Sequence, residues 1–359
     1  MSMKHYIYIT LAIALSIVTA CTERPIDQVP QVPESSRSYI FFEPEVMEVG
    51  ATKATLVEGK TLPAAEGTAF GVIGYYNGTS VLGGYEDGVA KVYRNSEGGS
   101  FQYDHLGWWL DRDAAATTKH NFFAFYPYSI YGDVSLNEGS PYISYTLPKT
   151  EAEMMDIMTA YTETARVLPV PLEFKHRLWA LDVEVVNAQT GNGYSQPGAA
   201  LTPPDLTVVS VKVTLANIPI SGTMAIAGTG CTVNSRATRE YTLPQTNIKI
   251  SPVDDPETAD VKENASTFGP LLFLPTDVSY TDNNGGKLQH KLDFTFQNHW
   301  GVQYTQSFEF RDFILTEEPA SFAPGKRYKL TVVKNDTNAS VGLTVTGWNS
   351  APPVEHTFQ

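Results

Sequence analysis

Cysteine is almost missing from this chain. Two thiols, Cys21 and Cys231, stand among 359 residues, too few for the disulfide framework that staples small secreted domains. Positive charge is scarce as well: 25 lysines and arginines face 39 aspartates and glutamates, for a formal net charge of -14. That balance argues against nucleic acid and anionic membrane surfaces as partners, since both reward basic faces. Charged residues are only 18% of the chain against 42% hydrophobic, ample material for a packed core and little for disorder. Helical periodicity is nearly absent. The marks of catalysis are missing too. There is no Gly-x-Ser-x-Gly elbow, no His-Glu-x-x-His helix and no Gly-rich phosphate loop. No catalytic residue, cofactor or metal is expected.

Single residues of types that carry chemistry read as structure instead. His290 and His299 stand nine apart, off zinc-ligand spacing. Asp282-Asn283-Asn284-Gly285-Gly286 lacks the later acidic ligands of a calcium loop and reads as a hairpin turn. Asp254-Asp255 and Glu317-Glu318 lie in Pro-containing loops as solvated charge. Trp108-Trp109 suggests a sugar-stacking platform, but neighbours on a strand point to opposite faces, so one of the two belongs to the core. Cys231 has no base nearby in sequence and reads as a small hydrophobe.

What is present begins with an export signal. Lys4 and His5 give a basic start, and Tyr6 to Val18 is apolar apart from Thr10 and Ser16. Val18-Thr19-Ala20-Cys21 then resembles the lipobox of a bacterial lipoprotein, in which the thiol is acylated and becomes the first mature residue. The apolar run is too short to span a bilayer, which takes about 20 residues. Residues 1–20 are thus expected to be a signal peptide and 21–37 a lipid-anchored tether. Pro25, Pro30 and Pro33 keep that tether out of any sheet.

Beyond the tether, short runs rich in Tyr, Phe, Val, Thr and Ile recur between turn signals. Tyr39–Phe42, Phe70–Tyr76, Asn121–Tyr126, Val183–Val186, Val208–Leu215, Leu271–Leu274, Leu292–Phe296 and Leu343–Trp348 read as strands. Asn77-Gly78 and Asp87-Gly88 read as turns between them. The pattern predicts an all-β fold. Glu151 to Ala160 is the one helical candidate, with Thr150 as its N-cap. Val167-Leu168-Pro169-Val170-Pro171 resembles a stiff connector and divides the chain into two β-sandwiches, 38–168 and 169–359. On Leu172, Phe174, His176 and Leu178 the alternation places His176 with the core set. A buried imidazole there needs a hydrogen-bond partner.

Six stretches in order carry a family resemblance. Phe122-Phe123-Ala124-Phe125-Tyr126-Pro127, Asp156-Ile157-Met158-Thr159-Ala160, Leu172-Glu173-Phe174-Lys175-His176-Arg177-Leu178, Leu272-Phe273-Leu274-Pro275, Gly325-Lys326-Arg327-Tyr328 and Val345-Thr346-Gly347-Trp348 resemble segments of the fimbrillin-like proteins of Bacteroidales, the subunits of type V pili. The resemblance implies two tandem sandwiches of transthyretin-like, Greek-key type, and export as an outer-membrane lipoprotein carrying palmitate on Cys21. It also implies a non-enzymatic role in the fimbrium, serving adhesion.

The family's assembly is by strand exchange. A protease removes the first strand of the folded precursor after a basic residue, and a neighbouring subunit fills the vacated slot. In this chain the implied removable strand lies within Ser38 to Val49, with Tyr39, Ile40, Phe41, Phe42, Val46, Met47 and Val49 as its apolar residues. Pro44 suits an edge strand. The cut falls at Lys53, where relatives have Arg, or at Arg37, which would free the protein without opening a slot. Pro352-Pro353 shortens any C-terminal donor to the few residues around Val354, His356 and Phe358. A short donor fits a tip or accessory subunit. The competing reading is a monomeric surface lipoprotein that binds glycans through exposed aromatics.

Overall fold

The protein was analysed as a computed structural model. It describes residues 39–46, 61–82, 88–104, 106–110, 119–137, 139–165, 167–189, 205–243, 247–252, 266–278, 287–298, 300–310, 320–335 and 339–347. Residues 39–359 form one compact unit. Cys21, Arg37, Met47, Val49 and Lys53 lie outside the described residues, as do the loops with Asp254, Asp282 and Glu317, and the end from Trp348 onward.

The architecture is all-β, as the alternating apolar runs predict. The first strands are β1 (Phe42–Val46), β2 (Ala69–Tyr76), β3 (Thr79–Ser80), β4 (Val89–Arg94), β5 (Phe101–Tyr103), β6 (His120–Tyr126) and β7 (Val134–Ser135). Next come β8 (Tyr142–Thr146), β9 (Met158–Thr164), β10 (Val170–His176), β11 (Trp179–Asn187), β12 (Leu206–Ala225), β13 (Cys231–Leu243) and β14 (Ile248–Ile250). The last are β15 (Ser266–Phe273), β16 (Thr276–Val278), β17 (Lys291–Gln297), β18 (Gln303–Glu309), β19 (Ala320–Phe322), β20 (Lys326–Lys334) and β21 (Ala339–Gly347).

The first sheet runs β1-β10-β9-β6-β2-β4-β5, with β3 folded back on β2. Asn77 and Gly78 both take positive φ (49° and 79°) at that β2–β3 turn, a conformation that Asn and Gly tolerate and β-branched residues do not. A second sheet runs β18-β17-β12-β8-β7, and a third β15-β11-β20-β21. The central position of β6 follows from its sequence. Phe122 and Ala124 face one apolar core, with Val72, Phe70, Leu172 and Phe174. Phe123 and Phe125 face the other, with Trp179, Leu181, Phe268 and Phe294. A strand apolar on both faces has to be covered on both.

Sheet membership does not follow chain order around the expected division at 168/169. Val170–His176, placed by sequence at the start of a second sandwich, pairs with β1 and β9 in the first sheet. Strands β7 and β8, from the earlier half, join the second sheet through β12.

The helix expected over Glu151 to Ala160 is not formed. Only Glu151–Glu153 makes a 3-10 turn, and the Thr150 side chain caps nothing. Met154, Ile157 and Met158 are drawn into the cores, and from Met158 onward the segment is strand β9. Burial and strand pairing outweigh a weak local helical preference here.

Candidate functional site

The residues from Tyr39 to Val46 alternate between inside and outside. Ile40, Phe42 and Val46 are buried at 1%, 6% and 2% exposure, whereas Tyr39 and Phe41 are 36% and 41% exposed. Between them Glu43 and Glu45 face solvent. The segment therefore sits like a stave, its inward side chains packed in the first core with Phe70, Phe122 and Phe174. Phe42 meets Phe122 edge to face at 5.4 Å.

One flank of β1 is fully paired. It lies parallel to β10, from Phe42 beside Val170 to Val46 beside Phe174, and the Val170 amide donates to the Phe41 carbonyl at 2.7 Å. On its other flank, among the described residues, no strand pairs with β1. An isolated bridge joins Tyr39 to Trp108, and the Ile40 amide donates to the Gly107 carbonyl at 3.0 Å. Phe42 is then clasped by a side chain: its amide donates to the Tyr103 hydroxyl at 2.8 Å, and that hydroxyl lies 3.3 Å from the Phe42 carbonyl it donates to. Tyr103 belongs to β5, the opposite end of the first sheet. The sheet thus curls until its two ends meet across β1.

The clasp has an electrostatic signature. Burial pushes the Tyr103 hydroxyl above the ordinary tyrosine range, and its bond with the Phe42 backbone pulls part of the way back. Its ring also meets Phe41 edge to face at 5.8 Å. Pro44 fits the same arrangement. Backbone groups alternate sides along a strand, and Phe42 turns its amide away from β10, so the Pro44 nitrogen also points away. Its missing donor removes no bond from the β1–β10 ladder.

Behind the stave lie the polar residues of two of the sequence stretches quoted above. His176, on β10, places Nδ1 3.0 Å from Asp156 Oδ1, with both side chains fully buried. Its neighbour Arg177 is 2% exposed. Its guanidinium donates to the Thr159 hydroxyl at 2.9 Å and to the carbonyls of Ala225 and Gly230 at 2.6 and 3.0 Å. Desolvation pulls the Arg177 guanidinium down to about 10, with nearby Cys231 acting the other way. Burial pushes the Cys231 thiol up, so it is held as a thiol and not as a nucleophilic thiolate.

The tryptophan pair separates as strand geometry requires. Trp109 is 4% exposed and sits in the first core, against His120 and Phe122. Trp108 is half-buried and bridged to Tyr39. Among the described residues no group of three or more His, Cys, Asp or Glu could hold a metal ion, and no helix is long and apolar enough to cross a membrane. No local pattern marks Tyr103, which lies 61 residues from Phe42.

A family model described as fimbrillin-like matches residues 52–348. The chain belongs to the fimbrillin-like family. No curated protein matches it. Solved structures resemble this fimbrillin-like chain across most of its length. A Bacteroides uniformis protein proposed to act in cell adhesion is 17% identical with a TM-score of 0.50, covering 89% of this chain and 100% of its own. A fimbrial protein from Bacteroides vulgatus is 15% identical with a TM-score of 0.50, covering 87% of this chain and 100% of its own. These likenesses concern the fold of the fimbrillin-like chain.

Proposed function

We propose that this protein is a pilus subunit that assembles on the bacterial surface by exchange of its first strand. The observation that carries the reading is β1. It fills the first core with Ile40, Phe42 and Val46, yet among the described residues only one strand pairs with it. Each such side chain returns roughly 1.5–3 kcal/mol on burial, so a vacated slot is unstable and demands refilling. The β10 edge and the apolar pockets that β1 would vacate match what β-augmentation needs. The family match begins at residue 52, just past β1 and beside Lys53, which suits a first strand that the mature subunit discards.

On this reading Cys21 is lipidated, palmitate holds the precursor at the outer membrane, and residues 21–37 act as the tether. Cleavage at Lys53 releases Tyr39 to Val49, while cleavage at Arg37 leaves the stave in place. The partners are other subunits, each contributing a strand. A tip or accessory position follows from the short C-terminal donor, and adhesion to a host or bacterial surface is the role served. The division into two sandwiches near 168/169 belongs to the same reading.

The test is to treat the full chain with a Lys- and Arg-specific protease, then follow the mature N-terminus by mass spectrometry and assembly on denaturing gels without boiling. A new N-terminus at Ala54 together with a ladder of stable multimers is expected. A protein that is cut at Lys53 yet stays monomeric, with its 39–46 peptide still bound, overturns the proposal. Retention of the uncut monomer on a glycan column, lost in Trp108→Ala, would favour the glycan-binding alternative.

A further inference from the structure

A second strand edge lies far from β1 in sequence, and it is built differently. Strand β18 ends the second sheet, and among the described residues it pairs only with β17. Natural edges are blunted by lysine, proline or bulges. Strand β1 follows that rule with Pro44, Glu43 and Glu45. Strand β18 is guarded less: Gln303-Tyr304-Thr305-Gln306-Ser307-Phe308-Glu309 has no lysine or proline, its one charge is the terminal Glu309, and its register with β17 is unbroken over seven pairs.

The hydrogen bonds fix which groups this edge presents. The Val302 carbonyl accepts from Asn298 and the Phe310 amide donates to His290, so residues 302 and 310 turn toward β17. By alternation, 304, 306 and 308 do too. Gln303, Thr305, Ser307 and Glu309 therefore turn both backbone groups outward. Side chains follow a different alternation. Tyr304, Gln306 and Phe308 share a face with buried Phe294 and Phe296, which Tyr304 and Phe308 meet at 5.7 and 6.0 Å.

This edge is complementary to itself. In an antiparallel pairing of two copies about a two-fold axis through Gln306, all four outward residues find outward partners. Thr305 meets Ser307 of the other copy, and Gln303 meets Glu309. No charge meets a like charge. On the inner face Tyr304 meets Phe308, the aromatic cross-strand pair that sheets favour, and Gln306 meets its own copy at a close, non-hydrogen-bonded position. A register slipped by two residues leaves an outward residue at one end without a strand partner. The hairpin tip supports the same pairing. There Trp300 and Val302 are 66% and 59% exposed, the largest exposures among the big apolar side chains of the described residues. The Asn298 side chain holds the turn by accepting from the Trp300 and Val302 amides at 3.1 and 2.9 Å. In the two-fold arrangement Val302 at each tip comes opposite Phe310 of the other copy.

We infer that β18 is a homotypic docking edge, joining two copies of this chain into one continuous antiparallel sheet. This contact is independent of the β1 slot and needs no proteolysis.

Sedimentation of the uncut full chain over a range of concentrations, together with three variants, tests it. Gln306→Cys is expected to form a disulfide-linked homodimer under mild oxidation, absent from the parent chain, because non-hydrogen-bonded pairs bring like positions within disulfide reach. Thr305→Pro loses an outward amide and an exposed hydroxyl contact with Thr295, so its thermal midpoint should stay within a few degrees while the monomer–dimer midpoint rises at least tenfold in concentration. Thr305→Lys/Ser307→Lys sets lysine against lysine across the axis, and the same loss is expected even if the proline variant fails to fold. A parent chain that remains monomeric throughout overturns the inference. So does a dimer that survives both edge variants, or a cysteine at 306 that captures a different protein instead of its own copy.

Discussion

Asp156 and His176 face one another across the inner end of the first sheet, Oδ1 3.0 Å from Nδ1 with neither side chain exposed. The pair pins the approach to β9 against the end of β10. Those are the strand that borders β6 and the strand that carries β1. A polar pair in such a place sets register, because each member is costly to bury alone.

Asp156→Ala is therefore expected to lower stability by about 2–3 kcal/mol, since His176 keeps its burial and loses its bond to Asp156. Asp156→Asn, which retains an acceptor, should cost about half as much. Urea unfolding curves of the two variants decide it. Equal losses would show that the contact contributes nothing specific.

Tyr103→Phe removes the hydroxyl that bonds both backbone groups of Phe42 and leaves the ring contacts in place. The expected cost is about 1 kcal/mol, concentrated on β1. Hydrogen exchange should quicken roughly fivefold at the Phe42 amide and little at the Val170 amide, which bonds to Phe41 on the other flank. Uniform change across both amides would contradict the clasp.

Arg327 and Asp182 form a forked ion pair between the parallel strands β20 and β11, with Asp182 1% exposed. Arg327→Ala strands that carboxylate and should destabilise by about 3–5 kcal/mol, and Arg327→Lys by less. Thermal unfolding would show the order. A silent Arg327→Ala would mean that Asp182 finds water.

Gly71 lies under the Phe125 ring, and a methyl group there would overlap it. Gly71→Ala should cost about 1–3 kcal/mol by overpacking. Phe125→Leu should recover part of that loss in the double variant, a non-additivity read from a mutant cycle.

Alkaline pH should weaken the fold. Burial pushes Tyr126 and Tyr241 up to about 12, and raises Tyr103 and Tyr145 as well. Unfolded tyrosines lose their protons near pH 10. Above that value the unfolded state binds fewer protons than the folded one, so stability falls as pH rises toward the folded values. The stability these groups contribute is fully present below about pH 10. Denaturant midpoints between pH 8 and 11 should decline only in the upper part of that range. A flat profile would contradict the burial of these hydroxyls.

What the sequence made legible were the features written in local alternation. Phe122 to Tyr126 is apolar at every other position on both faces, and that alone marks β6 as central. Leu172, Phe174 and His176 keep one face, so the histidine had to be buried and partnered. The partner Asp156, twenty residues away, stood in a neighbouring stretch, but nothing local links the two. Sheet membership was less legible. The prolines at 169 and 171 suggest a break in the chain, yet β10 returns to its own hairpin partner β9. Proline interrupts a helix or a ladder but does not say which sheet the next strand joins. The 151–160 segment misled for a similar reason: the helical preference is local, and the buried contacts of Met154 and Ile157 are not. Tyr103 left no trace, because a clasp on main-chain atoms demands only that a hydroxyl arrive from the far end of a curled sheet.

The parallel alignment of β1 with β10 gives the slot a direction. Any segment that takes its place under the same contacts must enter with its amino end at Val170 and leave beside Phe174. A fibre joined through such seats would be a one-way chain of links, its two ends different from one another.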